Sequence, residues 1–219
     1  MYSFAQRADT LVIDEPLYAH YLSRSTVEHP GKEEILGSQE HDGNKVIEQI
    51  QQLNSHQVIF CKQMTHHLVD INKAFLSNSL NLLFIRDPKA IINSYSKVMP
   101  NPTMADIGIK MQVELLHELI EKRARYWVID SADLLKDSEG FLQRLCSELA
   151  IPFDQNMLSW KAGPRKEDGI WAKYWYANVH QSNRLEPFKE KDITLSSTNE
   201  KLYQDCLPYY NELVKHKLI

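Results

Sequence analysis

Four short apolar runs punctuate this chain, at residues 10–13, 57–62, 81–86 and 125–129. Each is bounded by polar or turn-forming residues and alternates little, the pattern of parallel strands buried on both faces. Between them apolar residues recur every three or four positions, which predicts helices over 45–53, 88–97, 104–122, 138–149 and 199–216. In the third helix Ile107, Met111, Leu115 and Leu119 trace one face. In the last, Leu202, Cys206, Tyr209 or Tyr210, and Leu213 form a stripe suited to packing on a sheet. Two stretches lack such a period: 20–43, polar with Pro30-Gly31 and Gly37, and 162–186, rich in aromatic residues, Gly and Pro. Loops beyond about 12–15 residues are usually functional or disordered. Strand and helix patterns alternate, so the expected class is α/β with a parallel sheet. No repeat, low-complexity tract or linker intervenes, and residues 1–219 read as one domain.

Composition narrows the picture. At 219 residues and 43% hydrophobic content, the chain is long enough for a full core. A net charge of −4 argues against a general nucleic-acid surface, although Arg86, Lys89, Arg165, Lys166 and Lys173 are local cations suited to a small polyanion. Cys61, Cys146 and Cys206 are odd in number, far apart and in apolar or helical settings. That reads as buried free thiols rather than a disulfide frame or metal site. No signal peptide is evident, and no apolar run reaches the roughly 20 residues that span a bilayer. A reducing cytoplasm is the expected location.

The richest chemistry lies from Leu82 to Ser94. An apolar run ends in Arg86, Asp87 is a good N-cap, and Pro88 suits the first helical position because its missing N–H would have had no intrahelical partner. This puts Arg86 at the carboxyl end of a parallel strand and Ser94 on the next helix, beside the crevice where open α/β sheets bind ligands. An arginine fork with a hydroxyl clamps a phosphate or sulfate group.

The Arg86/Ser94 pair resembles the 3′-phosphate-binding element of sulfotransferases that use 3′-phosphoadenosine 5′-phosphosulfate (PAPS). Further stretches resemble that family in the same order. They are Tyr126 to Asp130 with Asp133-Leu134-Leu135, Phe141 to Cys146 leading to Leu149-Ala150-Ile151-Pro152-Phe153, and Gly163 to Gly169 with Trp171 to Tyr176. The likeness covers roughly residues 1–185. Ser131-Ala132-Asp133 stands where cytosolic members place a Tyr-Glu-Asp series, so the bacterial-type subgroup is the nearer likeness. The resemblance implies a three-layer P-loop NTPase-like parallel sheet flanked by helices. It implies PAPS as cofactor and a small acceptor carrying a hydroxyl or amine.

It also implies roles. Arg86 and Ser94 would hold the 3′-phosphate. Arg165 and Lys166 resemble an Arg-Lys-Gly motif that closes over the same group, with Glu167 in place of the glycine. Glu15, after the second strand of the family pattern, corresponds to the catalytic base of related bacterial and heparan-type enzymes. His66 and His67 resemble a Lys-Thr-His stretch that carries a catalytic histidine, with extra residues inserted. Trp171 and Trp175 suit either the flanks of a ligand or anchors to the core. Adjacent histidines diverge and no third ligand is evident, so a metal site is not expected.

One family feature is missing. Residues 1–7 read like the helix that follows the 5′-phosphosulfate loop, and no G-x-x-x-x-G-K-[ST] pattern occurs in the chain. The expectation is a domain lacking its phosphate-binding loop and its first, central strand. Unsatisfied buried backbone groups cost about 1–3 kcal/mol each, so such a gap predicts a marginal fold. Two other readings remain: a non-catalytic remnant that binds a 3′-phosphonucleotide or a protein partner, and a P-loop small-molecule kinase. The kinase ranks last, because neither a Walker-type lysine nor Mg²⁺ ligands are visible.

Overall fold

The computed structural model describes residues 1–219 except Val27, Glu28, Ser55, Val98, Pro100 and Ile219. The elements in chain order are β1 (Thr10–Asp14), α1 (Tyr18–Arg24), α2 (Lys32–Ser38), α3 (Gly43–Gln51), β2 (Val58–Lys62), β3 (Asn81–Ile85), α4 (Pro88–Tyr95), α5 (Met104–Ile107) and α6 (Ile109–Glu121). There follow β4 (Tyr126–Asp130), α7 (Ser131–Lys136), α8 (Ser138–Glu148), α9 (Ala172–Trp175), α10 (Ala177–His180) and α11 (Ser197–Val214). The class is α/β with short parallel sheets. The chain forms two compact units, Met1–Lys73 with Pro152–Glu186, and Ala74–Ile151 with Pro187–Ile219.

In the first unit β1 and β2 run parallel, with Asp14 opposite Lys62. The ladder starts at Val58 N–H on Asp9 O (3.1 Å) and ends at Glu15 N–H on Lys62 O (2.8 Å). On its other side β2 pairs with no strand among the described residues. Phe4 stacks on Phe60 with ring centroids 4.3 Å apart. A second apolar cluster gathers Tyr18, Ala19, Leu22, Ile35, Trp171 and Tyr176.

In the second unit β3 and β4 run parallel, and the core is almost wholly aliphatic: Ile85, Ile92, Ile109, Leu116, Leu119, Val128 and Leu213 are all at most 1% exposed. Helix α11 packs on α6 and α4. The outer edge of β4 is bridged by Lys217, with Leu218 N–H on Val128 O at 2.8 Å. The other edge of β3 meets no strand among the described residues, and Gln112 donates Nε2 to Phe84 O at 3.0 Å.

Several expectations are corrected. The segment expected as one helix over 104–122 is two, broken at Gly108, whose φ of 74° is left-handed and open to glycine. A capping box between Thr103 and Asp106 starts the first of them. The stretch expected as loop over 20–43 holds α1 and α2, with Ile35 fully buried. Both are only seven residues long, too short for a helical period to stand out, and α2 buries Ile35 alone. Val27 and Glu28 of that stretch lie outside the described residues. Residues 1–7 contain only a 3₁₀ turn, Phe4–Gln6, rather than a helix. All three cysteines are free, but Cys61 is exposed where burial was expected.

Candidate active site

Glu15, Asp70, Asn101, Arg123 and Ala150 all have positive φ, and of these Glu15 closes the carboxyl end of β1. Glu15 adopts φ 40°, a left-handed conformation that costs a non-glycine residue about 1–3 kcal/mol. Its neighbours hold it there. Its N–H donates to Lys62 O (2.8 Å), and its carbonyl accepts from Tyr18 N–H (3.1 Å) and Gln39 Nε2 (3.2 Å). The effect is to turn the Glu15 carboxylate inward beside that of Asp14; both residues are buried, at 6% and 5% exposure.

The strand register supplies the cation. Lys62 stands opposite Asp14, donates to Glu15 Oε1, and lies 3.6 Å from Asp14 Oδ1. It also donates to Tyr176 Oη at 2.8 Å. Tyr176 in turn points its hydroxyl at both Asp14 oxygens, each at 2.8 Å, and Gly169 N–H donates to Asp14 Oδ2 at 3.1 Å. Two buried carboxylates therefore share one ammonium. Burial pushes the Glu15 carboxyl above the usual range, Lys62 opposes that, and Asp14 reinforces it. Burial and then the charges of Asp14 and Glu15 raise Tyr176, so its hydroxyl keeps its proton.

His67 follows in the 3₁₀ turn Thr65–Leu68. It is 1% exposed and sandwiched between Tyr18 (4.8 Å, 20°) and Tyr21 (5.0 Å, 25°). Burial pushes it down to about 2, helped by His66, Lys62, His29 and His20, so the ring is neutral. Its Nε2 lies 3.9 Å from Glu15 Oε2, too far for a hydrogen bond, and neither ring nitrogen has a hydrogen-bond partner among the described residues. His66 is partly buried, edge-on to Tyr21 at 4.8 Å and to His67 at 4.6 Å.

The late loop of the same unit is tied down. Asp168 accepts from Tyr2 Oη (2.8 and 2.9 Å) and from Arg165 N–H (2.8 Å), and lies 2.9 Å from His180 Nε2. Arg165 pairs with Glu167 (3.1 Å) and sits 5.6 Å from the Tyr2 ring centroid. The glutamate in the family's glycine position is thus the partner of the arginine. Lys166 is exposed and makes no hydrogen bond or ion pair among the described residues, at the rim of a shallow hollow of about 410 Å³. Trp171 is 2% exposed and packs edge-on to Tyr18 at 5.1 Å, the geometry of an anchor.

In the second unit Arg86 directly follows β3. Asp87 caps α4 by accepting from Lys89 N–H at 2.7 Å, and Pro88 occupies the first turn, as the sequence predicts. Arg86 and Ser94 are both exposed, and neither makes a hydrogen bond or ion pair among the described residues. The arginine caps no carboxylate and the serine does not bond back to its helix. Both donors are available to a ligand.

A family model described as "Sulfotransferase domain" matches residues 1–217. The chain belongs to the sulfotransferase domain family. Two relatives from Arabidopsis thaliana, "Branched-chain-amino-acid aminotransferase-like protein 1" and "protein 2", are 37% and 36% identical over 99% of this chain. The match covers 39% and 40% of those proteins, so the chain spans about two fifths of their length. Among solved structures, "Sulfotransferase Domain from the Curacin Biosynthetic Pathway" aligns at 15% identity and TM-score 0.46, over 74% of this chain and 66% of that one.

Within this sulfotransferase domain, three residues of the buried cluster were not singled out from the sequence: Asp14, Lys62 and Tyr176. Asp14 adjoins Glu15, and Lys62 ends a strand just before the histidine pair, which are weak signals. Only the register that sets Asp14 against Lys62 shows that they belong together. Among the described residues no three His, Cys, Asp or Glu side chains converge as metal ligands, and no helix is long and apolar enough to cross a membrane.

Proposed function

We propose that this sulfotransferase domain moves a sulfuryl group from PAPS to the hydroxyl or amine of a small acceptor. The observation that carries the reading is Glu15: a buried carboxylate in a strained backbone at the carboxyl end of a parallel strand, raised in proton affinity and paired with one lysine. Strained, desolvated carboxylates cluster where proteins handle protons. Bound PAPS supplies the sulfuryl group. The donors fit an anionic nucleotide: Arg86 and Ser94 offer a guanidinium and a hydroxyl to its 3′-phosphate. In the first unit Arg165 is already paired with Glu167, and Lys166 is exposed.

Glu15 accepts the proton of the acceptor group as its nucleophilicity is needed. Lys62 offsets part of the cost of burying the Glu15 carboxylate and balances charge beside it. His67, neutral at any physiological pH, serves as a hydrogen-bonding wall rather than a base, since its ring nitrogens lack protein partners. His66 lines the same turn. We place the domain in a three-layer P-loop-like fold and in the cytoplasm.

A second reading has its own support. The sequence carries no glycine-rich phosphate loop, and the named relatives are called aminotransferase-like. A remnant that binds a 3′-phosphonucleotide without turnover fits those two facts. Incubation with radiolabelled PAPS and a panel of alcohols and amines separates the readings. Transfer that is abolished by Glu15→Gln supports the enzyme. Nucleotide binding without transfer to any acceptor favours the remnant, and absence of both would overturn the two together.

A further inference from the structure

Tyr176 lies outside every role assigned so far, yet it is the hub of the buried cluster. Its hydroxyl carries one proton and points it at Asp14, while its lone pair accepts from Lys62. Lys62 in turn divides its ammonium between Glu15, Tyr176 and, at 3.6 Å, Asp14. We propose that Tyr176 is a positioning residue: by occupying Asp14 with its proton and Lys62 with its oxygen, it keeps the ammonium on Glu15 and off Asp14. This rests on the reading of Glu15 as the proton acceptor.

The physical argument is competition for one cation. Asp14 is the nearer-to-fully buried of the two carboxylates, its side chain 1% exposed against 8% for Glu15, and a buried anion binds whatever donor is close. Two neutral donors, Tyr176 Oη and Gly169 N–H, satisfy it without using the lysine. Remove the hydroxyl and Asp14 keeps only the backbone donor at 3.1 Å; the lysine, having lost its own acceptor, closes the 3.6 Å gap. Glu15 is left buried with a weakened counterion. The other titratable groups that interact with this cluster are the Met1 amino group, through Lys62 and Asp14, Tyr2, through Asp14, and His67, through Lys62. None of them replaces the lysine near neutral pH: burial pushes the Met1 amine down to about 6, His67 stays neutral, and Tyr2 keeps its phenol proton.

The test is a carboxyl-carbon NMR titration of the whole chain labelled in its glutamates, with the Glu15 signal assigned through Glu15→Gln. Tyr176→Phe is expected to move the Glu15 midpoint up by about one pH unit. Asp14→Asn, which removes the competitor and a like charge, moves it down by a similar amount. In the Asp14→Asn background the Tyr176→Phe shift disappears, whereas independent effects would simply add. A Glu15 midpoint that Tyr176→Phe leaves in place, or additive shifts in the double variant, would overturn the proposal. Should Tyr176→Phe not fold, an Asp14→Asn midpoint equal to wild type overturns it and a downward one supports it. The titration reads the Glu15 charge without turnover, so a chain that transfers no sulfuryl group still decides the matter. If transfer is found, the acid limb of its pH profile shifts in the same directions.

Discussion

Two parallel strand pairs in this molecule end in opposite ways. At the carboxyl end of β1 and β2 the charges are buried and answer one another: Asp14, Glu15, Lys62 and Tyr176 form a closed cluster among themselves. At the carboxyl end of β3 the core beneath is aliphatic, and the polar groups Arg86 and Ser94 stand in solvent with no partner among the described residues. The first arrangement stores electrostatic tension in the folded protein. The second leaves its charge for a ligand to satisfy. A buried cluster of this kind fits proton handling, and an exposed arginine–serine corner fits binding of an anion.

That contrast can be broken or sharpened by mutation. The largest effect is expected for Lys62→Met, which strands two buried carboxylates and should destabilise by about 3–5 kcal/mol at pH 7 in denaturant titrations. The loss should shrink on acidification. Folded Glu15 binds its proton more tightly than the unfolded chain does, so stability falls as pH rises above the ordinary value of 4.5 and through the folded value. Without Lys62 that dependence is steeper. Leu116→Ala, in the aliphatic core and 0% exposed, should cost about 3 kcal/mol, equally at pH 5 and pH 7. A strong pH dependence there would erase the distinction between the two ends. Glu15→Gln relieves the buried like-charge pair and should raise the melting temperature at pH 7 by about 2–4 °C, with the gain fading towards pH 4. A lower melting temperature at pH 7 would mean that the carboxylate stabilises the fold. Ser94→Ala is the mildest: no change in melting temperature within about 1 °C, and a loss of a few-fold in nucleotide affinity by calorimetry.

Much of the scaffold was legible because it is local. All four strands lie within one residue of the apolar runs that mark them, and the α4 start follows from Asp87 and Pro88 alone. What escaped was non-local or weakly patterned. Gly108 breaks a helix whose apolar stripe continues across the break, so periodicity could not expose it. Helices α1 and α2 are only seven residues each, and α7 starts from an Asp130 cap directly at the end of β4. In the candidate site, Glu15 was visible as an acidic residue ending a strand. Its strain, its burial and its lysine were not, because they arise from the β1–β2 register and from Tyr176, 161 positions further along the chain. For the histidine pair the sequence could not show that Tyr18 and Tyr21 of α1 stack against His67, whose burial pushes its ring down to about 2.

The central claim is that the corner formed by Arg86 and Ser94 holds the 3′-phosphate of an anionic nucleotide, and calorimetric titration with adenosine 3′,5′-bisphosphate tests it most directly. The account predicts saturable binding that Arg86→Ala abolishes while its melting temperature stays at the wild-type value, and that Glu15→Gln leaves intact. Binding that survives Arg86→Ala, or no binding by the folded wild-type chain, would contradict it.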